Sequence, residues 1–195
     1  MRPEKRDYAE IYRTRTWAYS DKPDPELIRA LAGIPRGRAV DLGGGQGRHA
    51  LTLSALGFDA VLVDSVVEGL HQATAAADER GLPLHTVHSD ALHYEPDRKA
   101  VLVVAALLFH LPSPKKSVQI CRNIGEWLEP GGLFYLSIPG FTREIEEFVR
   151  KLIEAAGCRE QWVVKHLVTK RERPRLPVSR RNETRALGRR SERAA

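Results

Sequence analysis

Apolar residues along this chain fall into two alternating patterns. Short continuous apolar runs alternate with longer stretches in which apolar residues return every three or four positions. The first pattern predicts buried strands and the second predicts amphipathic helices. Residues 4–14 predict a short helix. At Asp24-Pro25-Glu26 a capping acid precedes Pro at a first helical position, and Leu27, Ile28 and Leu31 follow at helical spacing. Arg38–Leu42 predicts the first strand, and Gly47–Leu56 a helix stopped by Gly57. Phe58–Val63 predicts a second strand ending at Asp64. Ser65 is then expected to cap a helix with Val66, Val67, Leu70 and Ala73 on one face and Gly81 at its end.

The alternation continues. Leu84–His88 predicts a short strand, and the apolar run Ala100–Phe109 contains one buried on both faces. Ser117–Leu128 predicts a helix closed by Glu129-Pro130-Gly131-Gly132, followed by a strand at Leu133–Ile138 that Pro139-Gly140 breaks. Thr142–Ala156 predicts a helix closed by Gly157. Gln161–Thr169 and about Glu183–Leu187 predict a terminal strand pair, joined by an exposed loop at 171–177. Strands alternating with helices imply an α/β fold with a parallel sheet. The 195 residues suffice for one domain with one sizeable core.

Composition excludes several classes. Hydrophobic content of 42% and charged content of 29% are ordinary for a globular chain. The run Ala100–Phe109 is too short to span a bilayer, and the first seven residues hold no apolar signal core, so a cytoplasmic location is expected. Cys121 and Cys158 stand without a CxxC, which predicts reduced thiols rather than a disulfide framework or a cysteine metal site. The net charge of +6 is uneven: from Arg159 onward 12 Lys/Arg face four Asp/Glu, leaving the rest slightly acidic. Such a tail suits nucleic acid, anionic lipid or an anionic small molecule, or is simply a solvated face.

The densest chemistry lies at Asp41-Leu42-Gly43-Gly44-Gly45-Gln46-Gly47-Arg48-His49-Ala50. Glycines there let backbone approach a nucleotide-like ligand closely. A triphosphate-binding P-loop requires GxxxxGK[ST], which is absent. A dinucleotide fold requires GxGxxG/A, which Gly45 to Ala50 satisfies, with Asp64 at the expected distance.

A third reading uses more of the chain. Val40-Asp41-Leu42-Gly43-x-Gly45-x-Gly47 resembles motif I of the class I S-adenosylmethionine (SAM) methyltransferases. Asp64 stands where that family holds the ribose hydroxyls, and Ser89-Asp90-Ala91 where it places an acid near the adenine amino group. Phe109-His110-Leu111-Pro112 follows the fourth strand, where the family borders the transferred methyl, and Leu128-Glu129-Pro130-Gly131-Gly132 resembles its L-x-P-G-G approach to the fifth. The resemblance spans about residues 24–140. It implies a Rossmann-like fold: a mostly parallel seven-stranded sheet with a C-terminal antiparallel strand and helices on both faces. It also implies SAM as cofactor, S-adenosylhomocysteine (SAH) as product, and Asp41, Gly43, Gly45, Gly47, Asp64, Ser65, Asp90, Ala91 and Ala106 as cofactor-binding residues. Residues 1–23 would then be a lid, 24–140 the cofactor-binding core, and 141–195 a C-terminal helix and basic strand pair.

Methyl transfer from a sulfonium needs alignment and dryness, and a base only where the nucleophile arrives protonated. His110, just past the fourth strand, is the candidate base; the alternative is a structural histidine. Tyr8, Tyr12, Trp17 and Tyr19, interleaved with Arg13 and Arg15, are candidate lid and substrate residues, because aromatic faces suit a sulfonium. Packing of an N-terminal helix would explain them equally. His85, His88 and His93 do not predict a metal site, since strand alternation puts His85 and His88 on opposite faces.

The segment Tyr8–Ser20, the glycine loop and the basic C-terminal pair resemble the compact tellurite-resistance-type and thiopurine-like methyltransferases. That resemblance implies a small soft or anionic acceptor such as a thiol or chalcogen oxyanion. The tellurite-resistance type carries a His-Arg pair near its C-terminal hairpin, whereas here no His follows His166. Three alternatives stay open: a nucleic-acid methyltransferase gripping its substrate with the basic tail, a non-catalytic SAM-binding module, and an NAD-dependent oxidoreductase. Against the first, no N/D-P-P-Y/F/W motif follows the fourth strand. Oligomeric state is not readable in the sequence.

Overall fold

A computed structural model describes residues 7–140, 142–167 and 181–190. Five strands form a parallel sheet: β1 (Arg38–Leu42), β2 (Asp59–Asp64), β3 (Leu84–His88), β4 (Ala100–Ala106) and β5 (Leu128–Ile138). Their spatial order is β3-β2-β1-β4-β5, so the chain reverses its direction of growth between β1 and β4. That switch point leaves a crevice at the strand C-termini, where open α/β sheets bind ligands. Beyond β5, β7 (Arg181–Arg190) pairs antiparallel with β5, and β6 (Cys158–Leu167) pairs antiparallel with β7. Thr169 and the predicted loop at 171–177 lie outside the described residues.

Six helices are described: α1 (Tyr8–Thr14), α2 (Pro25–Ala30), α3 (Arg48–Ala55), α4 (Val67–Glu79), α5 (Pro114–Trp127) and α6 (Arg143–Ala155). Side-chain alternation along the strands divides them between the two faces. Val40, Leu42, Val103 and Phe134 pack with Ile120 and Ile124 of α5 and Val149 and Leu152 of α6. Ala39, Leu102, Val104 and Tyr135 face the other way, with Leu27 of α2 and Leu53 of α3. Leu62 on β2 meets Ala50 of α3 and Leu70 and Ala73 of α4. Leu42, Leu53, Leu62 and Leu102 are wholly buried, each contributing about 1.5–3 kcal/mol.

Several boundaries differ from expectation. Residues 4–6 lie outside the described residues; α1 starts at Tyr8, with Asp7 capping Glu10 N–H. Ser65 does not cap α4: the N-cap is Val66, which makes no side-chain cap bond. Instead Asp64 Oδ1 accepts from Val66 N at 2.8 Å. Asp24 stands at the N-cap of α2 but makes no side-chain cap bond; its carboxylate accepts from Tyr135 Oη at 2.9 Å. Ser113 caps α5 and Pro114 opens it, and β5 begins at Leu128 through its pairing with Ala100. Among the described residues, no helix is long and apolar enough to cross a membrane.

Candidate functional site

The turn from β1 into α3 forms the floor of the site. Gly43 N and Gly44 N both point at Val63 O, at 2.7 and 3.3 Å, which fastens the turn to the end of β2. Gly45 has φ +56°, and a Cβ there would lie 2.5 Å from Tyr12 Oη. Glycine is therefore required by conformation and by space. Gly45 N donates to Asp64 Oδ2 at 2.8 Å.

Above this turn lies a cavity of about 550 Å³, within the size range typical of small-molecule sites. Gly43, Gly44, Gly45 and Gln46 line its floor, with Asp64, Ser65, Asp90 and Ala91 along one side. Ala106, Leu107 and Leu108 follow from the end of β4, and Tyr8, Tyr12, Trp17 and Tyr19 of the N-terminal segment also line it. Eleven of the fourteen residues singled out in the sequence therefore meet at one cavity.

Asp41, Gly47 and His110 do not line this cavity. Asp41 lies behind the turn, 1% exposed, with Oδ2 accepting from Ala50 N at 3.0 Å. Its Oδ1 is buried with no partner among the described residues. Burial pushes this carboxyl up to about 7; the Ala50 N–H and Arg48 pull it down, and Asp64 and Asp24 push it further up. Gly47 is the N-cap of α3 at φ +78°, and a Cβ on it would press on Ala73 and Leu62 rather than on a ligand. His110 does not line the cavity and its Nδ1 is buried, whereas Leu111 and Pro112 do line it. The chain turns sharply here: Leu107 has φ +59°, a left-handed backbone costing about 1–2 kcal/mol. That turn delivers Leu107 and Leu108 to the wall and leaves His110 off it.

Asp64 is 8% exposed, and burial raises its carboxyl above the ordinary range despite backbone N–H groups from Val66, Gly45 and Ser65. Each carboxylate oxygen has two lone pairs, so the backbone N–H groups, among them Gly45 and Val66, leave Asp64 further acceptor capacity on the cavity side. Asp90 Oδ1 accepts from Leu92 N at 2.8 Å, in a turn that leaves the carboxylate largely solvent-facing. Tyr12 is buried against the turn, and burial followed by the charge of Asp64 raises its hydroxyl strongly.

Sequence reasoning missed two groups. Gln46, 6% exposed, lay hidden as an intervening residue of the glycine pattern. It accepts from Ala18 N at 2.6 Å and donates toward Thr16 O at 2.9 Å. The second group is a buried polar cluster on the α2–α3 side of the sheet. Asp24 N donates to His49 Nε2 at 3.3 Å, Arg48 lies 3.7 Å from Asp24 Oδ1, and Tyr135 reaches the same carboxylate. Polar residues inside apolar strand and helix patterns were the available signal for it. His85 and His88 are engaged separately, near Asp59 and at Ser65 O. Among the described residues, no group of His, Cys, Asp and Glu is placed to hold a metal.

The methyltransferase domain family matches residues 39–132, the stretch that builds this floor and its side walls. The chain is 28% identical over 131 residues, 66% of its length, to a ubiquinone biosynthesis O-methyltransferase of Burkholderia thailandensis, of which it covers 54%. It therefore spans about half the length of the curated relatives it matches. Among solved structures, the N-methyltransferase NodS of Bradyrhizobium japonicum in complex with SAH superposes with TM-score 0.74 at 16% identity, covering 96% of this chain and all of that one. TehB of Haemophilus influenzae gives TM-score 0.68 at 18% identity, covering 94% of this chain and 67% of that chain. At those identities the likeness is one of fold.

SAM, the cofactor that the sequence resemblance implies, suits the residues present. A diphosphate at the start of α3 would approach Asp41 and Asp64, with Asp41 already taking the Ala50 N–H. A carboxylate at the cavity wall, such as Asp64, can accept from a ribose hydroxyl. Ser65, Ala91 and Ala106 are small residues on the cavity wall.

Proposed function

We propose that the protein transfers the methyl group of SAM to a small-molecule acceptor. The observation that carries this reading is the cavity at the β1/β4 switch point, where the glycine turn and the Asp64 carboxylate converge. When bound, SAM supplies a methyl already activated on a sulfonium, so the protein's part is alignment and exclusion of water. Asp64 would receive the ribose hydroxyls, Asp90 the adenine amino group, and the glycine turn the methionine arm. Tyr8, Tyr12, Trp17 and Tyr19 cover the cavity and offer aromatic faces to the sulfonium.

The acceptor side combines Leu108, Leu111, Pro112 and Ile120 with Lys116. An apolar wall with one cation supports a soft or anionic nucleophile, such as a thiolate or chalcogen oxyanion. Such a nucleophile needs no base, in keeping with His110 standing off the wall. The name of the Burkholderia relative adds oxygen acceptors to the range worth testing. We also take residues 1–195 as one domain and the antiparallel β5–β7–β6 arrangement as completing a seven-stranded sheet. The unbroken register of six residue pairs between β5 and β7 supports that extension.

Calorimetric titration with SAH and with NADH tests the cofactor, repeated on Asp64→Ala. SAH binds and NADH does not; Asp64→Ala loses at least about a hundredfold, as expected for two charge-assisted hydrogen bonds. A protein that ignores SAH refutes the reading. SAH release measured over a panel of thiols, selenite, tellurite and small phenols then identifies the acceptor class.

A further inference from the structure

We propose that Gln46 is a positioning residue that latches the N-terminal strap, residues 15–18, to the glycine turn and so governs release of the cofactor. Gln46 sits between two glycines of positive φ, Gly45 and Gly47, which turn its side chain off the floor of the cavity toward the strap. The strap is irregular backbone; Arg15 N closes α1 on Ile11 O, and three other peptide groups find Gln46. Oε1 accepts from Ala18 N at 2.6 Å, while Nε2 faces Thr16 O at 2.9 Å and Arg15 O at 3.1 Å. Nε2 also lies 2.6 Å from Gln72 Oε1 on α4, and Gln72 Nε2 donates to Tyr12 O at 2.7 Å. One amide thus joins the floor, the strap, α4 and, through Gln72, the end of α1.

The chemistry is specific to glutamine. The site presents one N–H and three oxygens, so it needs an acceptor and a donor on one side chain. Glutamate has the same shape but no donor and would set a carboxylate against the carbonyls of Arg15 and Thr16. Alanine offers neither group. Trp17, Ala18 and Tyr19 line the same cavity as Gly43, Gly44 and Gly45, so a ligand on the floor shares that cavity with the latched segment. Tyr12, on the helix that leads into the strap, rests its Oη on Gly45.

The ligand part of this inference rests on the proposed function; the latch itself does not. Hydrogen exchange of peptides covering residues 15–19, measured on the ligand-free full chain, reads the latch. SAH dissociation by stopped flow reads its consequence. In Gln46→Ala and Gln46→Glu the strap amides exchange at least about tenfold faster and SAH leaves at least about tenfold faster, with the far-UV spectrum unchanged. Gln72→Ala, which removes the outer contact and leaves Gln46 in place, gives a smaller change of the same sign. A merely space-filling Gln46 predicts Gln46→Glu indistinguishable from wild type, and that result overturns the proposal. Faster exchange with unchanged SAH release overturns its control of the cofactor. If the wild type fails to bind SAH, the methyltransferase reading is lost while the exchange data still decide the latch.

Discussion

Replacing Asp41 with Asn isolates the cost of burying a carboxylate behind the glycine turn. Asp41 is 1% exposed, accepts one N–H from Ala50, and has a second oxygen with no partner among the described residues. Its carboxyl rises from 3.8 to about 7, chiefly through burial, which corresponds to about 4 kcal/mol between the two protonation states. In the folded chain the group keeps its proton up to about 7, whereas unfolded it ionises near 3.8. Between these values the folded state binds more protons, so stability falls as pH rises through the window. Asp41→Asn removes this penalty while keeping an oxygen for Ala50 N. At pH 8 the variant should gain about 2–4 kcal/mol, or ~5–15 °C in Tm for a chain of this size. At pH 4 the two proteins should differ little. Urea unfolding of both across pH 4.5–8.5 gives the difference directly, with the other carboxylates cancelling. A difference that does not grow with pH, or a variant less stable throughout, would falsify the assignment of this penalty to Asp41.

Gly45→Ala places a Cβ 2.5 Å from Tyr12 Oη at φ +56°; SAH affinity should drop about tenfold or more and stability by at least about 1 kcal/mol, seen by calorimetry and melting. Because His110 does not line the cavity, His110→Ala should keep kcat within several-fold on any acceptor found; a loss of about a hundredfold would return it to the list of bases. Tyr135→Phe removes a donor at 2.9 Å from the buried carboxylate of Asp24, so unfolding in urea should show a loss of about 1–3 kcal/mol, and no loss would mean the cluster is not stabilised by that bond.

Strands and helices were legible because their signals are local. Arg38–Leu42 and Leu84–His88 coincide with β1 and β3, since continuous or alternating apolar residues specify strands over a few positions. Errors cluster where a side chain had a distant partner. Asp24 looked like a cap, yet Tyr135, 111 positions away, takes its carboxylate. Ser65 looked like a cap, yet Asp64 reaches over it to Val66 N. The cavity residues Asp64, Ser65, Asp90, Ala91 and Ala106 were legible because parallel strands deliver their C-terminal ends to one crevice whatever the details of packing.

The sequence by itself therefore determined the order of elements, the glycine turn, and the acids at the strand ends, all encoded in runs of neighbouring residues. Tertiary structure decided which of these touch the cavity. It moved Asp41 and Gly47 behind the floor, turned the chain at Leu107 so that His110 stands off the wall, and made Gln46 the link to the strap. The physical reason is the same each time: a polar group commits to whichever partner the fold brings within about 3 Å, and sequence spacing carries no record of that distance.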